Sequence, residues 1–296
     1  MADSLMNVDE ALAQLLKAAR VLPEARRTAL GDALGGILAQ TPVAAVTVPP
    51  ADNSAVDGYA LNSRDGSRPS LPVSQRIPAG QDPAPLEPGT AARIFTGAAV
   101  PQGADTVMMQ ENARVEDDQV VFSRTPEAGQ NIRPAGQDIR EGATLIKAGT
   151  RLEPWHLGLL ASAGVPEVTV YRPLRIAVLS SGDELVTPGQ TLAPGQIYNS
   201  NQTMLESLVH AAGWEAIPFD TVADTFDATR EALRRASEAA DVIITTGGVS
   251  VGEEDHIRDA LQSLGELSLW RMAIKPGKPL AFGHIGDTPV IGLPGN

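Results

Sequence analysis

The sequence contains no cysteine. That removes disulfides, thiolate metal sites, cysteine nucleophiles and iron–sulfur clusters together. Histidine is scarce, with four in 296 residues and no HExxH pair, so a histidine-based zinc site is not expected. No apolar run approaches the ~18 residues of a membrane span. The first residues, Met1-Ala2-Asp3-Ser4, are acidic and do not read as a signal peptide, so a cytoplasmic location is the expectation. Positive charge is short as well: 23 Lys and Arg stand against 36 Asp and Glu, a formal charge of −13. Such a field repels nucleic acid and anionic membrane surfaces, so neither is an expected partner. GxGxxG, the Walker A sequence and a placed Ser-His-Asp signature are missing too. Their absence weighs against a dinucleotide-dependent dehydrogenase, a P-loop ATPase or a hydrolase-fold enzyme.

What is present fits a folded chain of about two domains, at roughly 150 residues each. Hydrophobic residues make up 43% and charged residues 20%, ordinary for a globular protein. Gly (28) and Pro (23) exceed the ~12% they usually contribute together. Ten of the prolines lie between Pro42 and Pro101, which marks a turn-rich region.

The first element reads as a helix. Asn7 and Glu10 look like a capping pair, and Val8, Ala11, Leu12, Leu15, Leu16 and Ala19 form one apolar stripe that Pro23 ends. A second short helix is predicted over Thr28–Leu38, weakened by Gly31, Gly35 and Gly36. From Thr41 to about Ala135, short β-type runs (Val43–Val48, Ala91–Phe95, Thr106–Gln110, Gln119–Phe122) alternate with turn clusters. They predict a small β-rich module. Ala143–Ile146 and Arg151–Leu152 are expected to continue in strands, and Pro154 to open a helix closed by Gly164.

After Tyr171 strands and helices alternate. Arg175–Ser180, Ala216–Phe219, Asp241–Thr246 and Pro289–Leu293 read as strands. Gln202–Ala212, Asp227–Ala239 and Glu253–Leu264 read as helices. This spacing predicts a doubly wound parallel sheet with helices on both faces. The chain stops at Leu293-Pro294-Gly295-Asn296, directly after a strand, which suggests truncation.

Open α/β sheets bind ligands at the carboxyl ends of their strands. Two such ends carry the same kind of loop: Ser181-Gly182-Asp183-Glu184 after RIAVLS, and GGVSVGEEDH (247–256) after DVIITT. Glycine lets backbone N–H groups approach an anion, and a following helix N-terminus adds positive potential. The carboxylates make sense there if they hold Mg²⁺, which bridges them to phosphate oxygens. A plainer account also exists, in which Ser250 and Glu253 form a capping box and Asp255 is a first-turn acid. Two such loops on one sheet edge favour the site. Lys275-Pro276-Gly277-Lys278-Pro279 adds two lysines fixed by prolines, placed like an oxyanion clamp. In the β-rich half, DNSAVDGYA (52–60), TGAAVPQGAD (96–105) and RPAGQDIREG (133–142) put acids beside glycines in three loops. Each serves a turn first, and together they hold more acids than turns need.

These segments, with SSGDEL (180–185), MAIKPGKP (272–279) and GLPGN (292–296), resemble the molybdopterin molybdenumtransferase family, which includes the E domain of gephyrin. The segments occur in the family's order from about Val8 to Asn296. The resemblance implies an α/β multi-domain fold: a mixed linking domain over 1–48 and 137–172, an inserted β-rich module over 49–136, and a molybdopterin-binding α/β domain over 173–296. The family's C-terminal β domain is then absent. Gly36, Ala51 and Gln137 depart from residues common in the family, where Arg, an aromatic and Glu stand.

The implied activity is Mg²⁺-dependent insertion of molybdate into adenylylated molybdopterin with release of AMP. By motif, the implied catalytic residues are Asp57, Thr96, Asp138, Glu184, Asp224 and Asp255, with Glu184 and Asp255 on the metal. Ser181, Gly182, Asp183, Gly247, Gly248, Ser250, Lys275, Lys278, Pro294 and Gly295 are implied to bind substrate. Asp224 has the most generic surroundings. A homodimer with a shared active site is also implied. The related adenylyltransferase shares the α/β domain but does not need the DNSAVDGYA and TGAAVPQGAD segments. A non-catalytic scaffold of the same fold is the third reading, disfavoured by the retained acidic and lysine motifs.

Overall fold

The computed structural model describes residues 5–19, 24–247, 256–273 and 279–295. The chain divides into two compact units: a central one, residues 27–170, and an α/β unit built from residues 1–26 and 171–296.

The central unit is rich in short strands. Its main sheet holds β1 (Gly58–Leu61), β2 (Leu71–Ile77), β3 (Ala91–Ile94), β4 (Thr106–Met109), β5 (Ala113–Glu116) and β6 (Gln119–Phe122), in the order β4-β1-β3-β2-β6-β5. All pairings are antiparallel except β2 with β3. The sheet has apolar side chains on both faces. Ala60, Ile77, Ala92, Ile94 and Val107 form one cluster, and Tyr59, Leu61, Leu71, Ala91, Met108 and Val120 another. A third cluster gathers Ala33, Leu38, Ile146, Leu152, Leu160, Val168 and Val170 around α2 (Pro154–Ser162).

Several local expectations are corrected here. Thr28–Leu38 is not a helix. A strand over Ala25–Ala29 runs into one 3₁₀ turn, Leu30–Asp32. Gly35 then takes φ = 75°, and a side chain at Gly36 would press on Val170 at 3.2 Å. Leu38 is fully buried in the α2 cluster and bridges Val170, so tertiary packing overrides the helical pattern. Val43–Val48, Ala143–Ile146 and Arg151–Leu152 form isolated bridges (Val43 to Thr144, Val48 to Ile139, Ile37 to Arg151) instead of continuous strands.

In the α/β unit, α1 (Val8–Ala18) is capped by Asn7, whose side chain accepts from the Asp9 N–H at 2.9 Å. Its expected apolar stripe buries only Ala11; Leu12 and Leu16 are exposed. The main sheet holds β7 (Arg175–Ser180), β8 (Glu215–Ile217), β9 (Val242–Thr246), β10 (Glu266–Arg271), β11 (Pro279–Ile285) and β12 (Thr288–Leu293). The order is β8-β7-β9-β12-β11-β10. The first four strands are parallel, and β11 and β10 add antiparallel partners at one edge. The predicted parallel sheet is thus a mixed one.

Alternation along the strands explains why helices cover both faces. Ile176 and Val178 pack with Leu205 and Val209 of α3 (Ser200–Ala211). Ala177 and Leu179 point the other way, to Leu233 and Ala236 of α4 (Phe226–Ala239) and to Ala260 and Leu261 of α5 (His256–Leu264). Each buried leucine contributes about 2 kcal/mol of transfer free energy. The two faces therefore hold the strand ends as a rigid edge.

An ion pair fastens the opposite end of β7. The Asp241 carboxylate accepts from Arg172 Nη1 and Nη2 at 2.6 and 2.7 Å and from the Arg175 N–H at 2.8 Å. The Arg172 hydrogen bonds come first in holding the Asp241 carboxyl below its usual range. A depressed native pKa gives stability that is present above the unfolded value, about 3.9, and lost as pH falls through the native one. Asp241→Asn is predicted to cost about 2 kcal/mol near neutral pH. Urea denaturation should show this deficit shrinking as pH falls from about 5 toward 2; a pH-independent deficit contradicts it.

Candidate functional site

Three parallel strands of the α/β unit end on one rung. Ser180 pairs with Thr246, and Thr246 with Leu293. Beyond that rung run Ser181–Glu184, Gly247, and Pro294-Gly295. Their backbones come close where Gly247 meets Ser181 and Gly295. Gly247 N–H donates to the Leu293 carbonyl at 3.2 Å, and Ser181 N–H to the Thr246 carbonyl at 3.4 Å. Gly247 has φ = 92°, and a Cβ there would lie 2.8 Å from the Ser181 carbonyl oxygen. A Cβ on Gly295 would stand 3.2 Å from Gly247 Cα. Only glycine at 247 meets both the conformation and the clearance.

Acids gather at this mouth. Ser181 Oγ lies 3.3 Å from Asp224 Oδ1, to which it donates. Asp224 N–H donates to Asp183 Oδ1 at 3.1 Å. Asp224 reaches the mouth because Val222 bridges Ser181 and its N–H donates to the Ser180 carbonyl at 2.8 Å. The generic sequence around Asp224 hid this placement. Glu184 is exposed, with its carboxylate folded over Gly182. Among the described residues, no three His, Asp or Glu side chains are grouped to hold a metal ion. Mg²⁺ is commonly bound by one or two carboxylates, with water and phosphate completing its shell. The exposed carboxylate of Glu184 suits that mode. Gly248, Ser250, Asp255, Lys275 and Lys278 lie outside the described residues.

In the central unit, Asp57 and Thr96 meet. Asp57 Oδ1 accepts from both the Thr96 N–H and the Thr96 hydroxyl, each at 2.8 Å. The backbone bond comes first and the hydroxyl second, with the Arg93 charge adding to them. Together they hold the Asp57 carboxyl below its usual range. Asp138 instead pairs with Arg133 at 2.5 Å. Arg133 faces Asn53 across a two-residue ladder, and Ser54 accepts the Gly97 N–H at 2.8 Å. The 52–57, 96–98 and 133–138 loops are thus laced together through backbone bonds.

Sequence reading missed three supporting side chains. Arg93 donates to the Gly58 carbonyl at 3.0 Å and to Gln110 Oε1 at 2.6 Å. Gln110 N–H in turn donates to the Asp57 carbonyl at 3.0 Å. That ring fixes the turn carrying Asp57. Asn201, in the first turn of α3, donates to Thr246 Oγ1 at 3.1 Å and to the Gly295 carbonyl at 2.8 Å. Its only signal in the sequence is an amide just after a helix cap.

Comparison with known proteins matches both units. Residues 6–164 match the family model described as MoeA N-terminal region (domain I and II). Residues 177–296 match the model of a probable molybdopterin binding domain. A molybdopterin molybdenumtransferase of Haemophilus influenzae is 38% identical over 99% of this chain and 73% of its own length. One from Nostoc is 42% identical, covering 90% of this chain and 64% of its own. The chain thus spans about two thirds to three quarters of these relatives. The crystal structure of a molybdopterin biosynthesis MoeA protein from Pyrococcus horikoshii superposes with a TM-score of 0.85 at 32% identity, covering 99% of this chain and 75% of that one.

Replacing Thr96 with Val deletes the hydroxyl donor and keeps the N–H. The Asp57 carboxyl should then titrate at higher pH than in the wild type, read by carboxyl ¹³C NMR. An unchanged titration contradicts the hydrogen-bond assignment.

Proposed function

The chain belongs to the molybdopterin molybdenumtransferase family, and from that membership we propose that it inserts molybdate into adenylylated molybdopterin during molybdenum cofactor biosynthesis, releasing AMP. The observation that carries this reading is the mouth formed by the parallel strands of the mixed sheet. Three strand ends converge there on closely packed backbone and bring Asp183, Glu184 and Asp224 to one edge. That is where an open α/β sheet takes its ligand.

Phosphoanhydride cleavage demands positioning and charge neutralisation more than covalent chemistry from the protein. Ser181, Gly182, Asp183, Gly247, Gly248, Ser250, Pro294 and Gly295 would line the pterin and phosphate path, with glycines allowing backbone N–H groups close approach. Glu184 and Asp255 would hold Mg²⁺, which when bound neutralises phosphate oxygens. Lys275 and Lys278 would face phosphate or molybdate oxygens. Asp224, hydrogen-bonded to Ser181 and Asp183, orders the acidic turn. Asp57, oriented by its two hydrogen bonds from Thr96, and Asp138 would act from the central unit. Homodimerisation, with these last residues contributed across the subunit boundary, belongs to the same proposal, as does a cytoplasmic setting. The partition into a linking domain (1–48 with 137–172), a β-rich module (49–136) and a pterin-binding domain (173–296) is proposed with it.

The expected outcome is AMP release from adenylylated molybdopterin only when molybdate is supplied. Glu184→Ala and Asp255→Ala should each lower that rate by at least about 100-fold with unchanged circular dichroism. AMP release without molybdate removes the insertase reading. Wild-type turnover by both variants removes the Mg²⁺ assignment.

A further inference from the structure

The amide of Asn201 does something a helix-capping side chain does not. A cap accepts hydrogen bonds from the first N–H groups of its own helix, as Asn199 does from the Gln202 N–H at 3.1 Å. Asn201 donates, and it donates away from its helix. Its Nδ2 reaches Thr246 Oγ1 at 3.1 Å and the Gly295 carbonyl at 2.8 Å, residues 45 and 94 positions further along the chain. Thr246 is the last paired residue of β9, and Gly295 lies two residues beyond its ladder partner Leu293 on β12. The bond to Gly295 therefore falls outside the sheet ladder, where strands that stop pairing are free to diverge.

We infer that Asn201 is a positioning residue that clamps the Pro294-Gly295 segment against Gly247 and so sets the width of the proposed pterin-binding mouth. This rests on the reading of those loops as ligand-binding. The Gly295 backbone lies against Gly247 Cα, and Gly247 N–H is engaged by the Leu293 carbonyl. Among the described residues, the atoms nearest a Cβ placed on Gly295 are Gly247 Cα and N, both backbone. Among the described residues, the Asn201 amide donates directly to Gly295, while the Gly247 N–H reaches Leu293, two residues earlier. Two donor bonds from one amide fix both distance and direction, which a single contact does not. Thr246 is buried, so the clamp works from a rigid base.

The test uses the full chain with purified molybdopterin as probe. Asn201→Asp keeps the shape and removes the donor; Asn201→Ala removes both; Thr203→Asp adds the same charge two residues away at an exposed position of the same helix. Both Asn201 variants should raise the molybdopterin Kd by roughly ten- to a hundredfold. Both should also speed hydrogen exchange of the Gly247 amide, with melting temperature near wild type. Thr203→Asp should change neither Kd nor exchange. Wild-type Kd and wild-type Gly247 exchange in Asn201→Asp overturn the inference. Should the wild type fail to bind molybdopterin, the functional reading falls, and Gly247 exchange still decides the clamp: unchanged exchange in both variants overturns it. If Asn201→Ala does not fold, Asn201→Asp carries the decision.

Discussion

The approach of the Gly247 backbone to the Ser181 carbonyl sets the spacing on which the strand-end site depends. A methyl group there would lie 2.8 Å from that oxygen, so β7 and β9 could not continue side by side into their loops. With glycine, the two loops leave the sheet nearly in contact, and Gly295 closes on them from β12. The rigidity comes from below. Alternate residues of β7 are buried under α3 on one face and under α4 and α5 on the other. Loosening either face would move the rung formed by Ser180, Thr246 and Leu293, and the acids beyond it would move too.

The acidic character of the chain takes on a local meaning at these loops. A charge of −13 is costly where carboxylates crowd together. The structure spreads that cost by giving individual acids definite partners. Asp57 accepts two bonds from Thr96, Asp138 pairs with Arg133, Asp241 is held by Arg172, and Asp183 accepts from the Asp224 backbone. Glu184 is exposed, as Asp183 beside it is, and its carboxylate lies over Gly182. An acid in that state is available to a cation or to a ligand's hydrogen-bond donors.

Much of the fold was legible because period and burial agree. RIAVLS and DVIITT are continuous apolar runs, and both became strands buried on two faces. The amphipathic pattern of residues 227–239 became α4 with one additional residue. Legibility failed where long-range packing outvoted local pattern. Thr28–Leu38 has helical spacing, but Leu38 is drawn into the α2 cluster and the glycines bend the chain. Val43–Val48 has strand composition, yet it only bridges single residues of a distant segment, a partner that local spacing cannot reveal. The antiparallel edge of β10 and β11 escaped for a similar reason, because strand direction is set by the hairpin turn and not by composition. In the site, acids beside glycines could be read directly. Asn201, Arg93 and Gln110 could not, because their roles consist of bonds to residues far away in the chain.

The convergence of the three strand ends on one ligand is tested most directly by amide NMR of the isotopically labelled chain titrated with adenylylated molybdopterin and Mg²⁺. The predicted result is a saturable set of shifts at Ser181–Glu184, Gly247 and Gly295, with β10 and β11 unmoved. Shifts that saturate elsewhere and leave those residues unperturbed would contradict it.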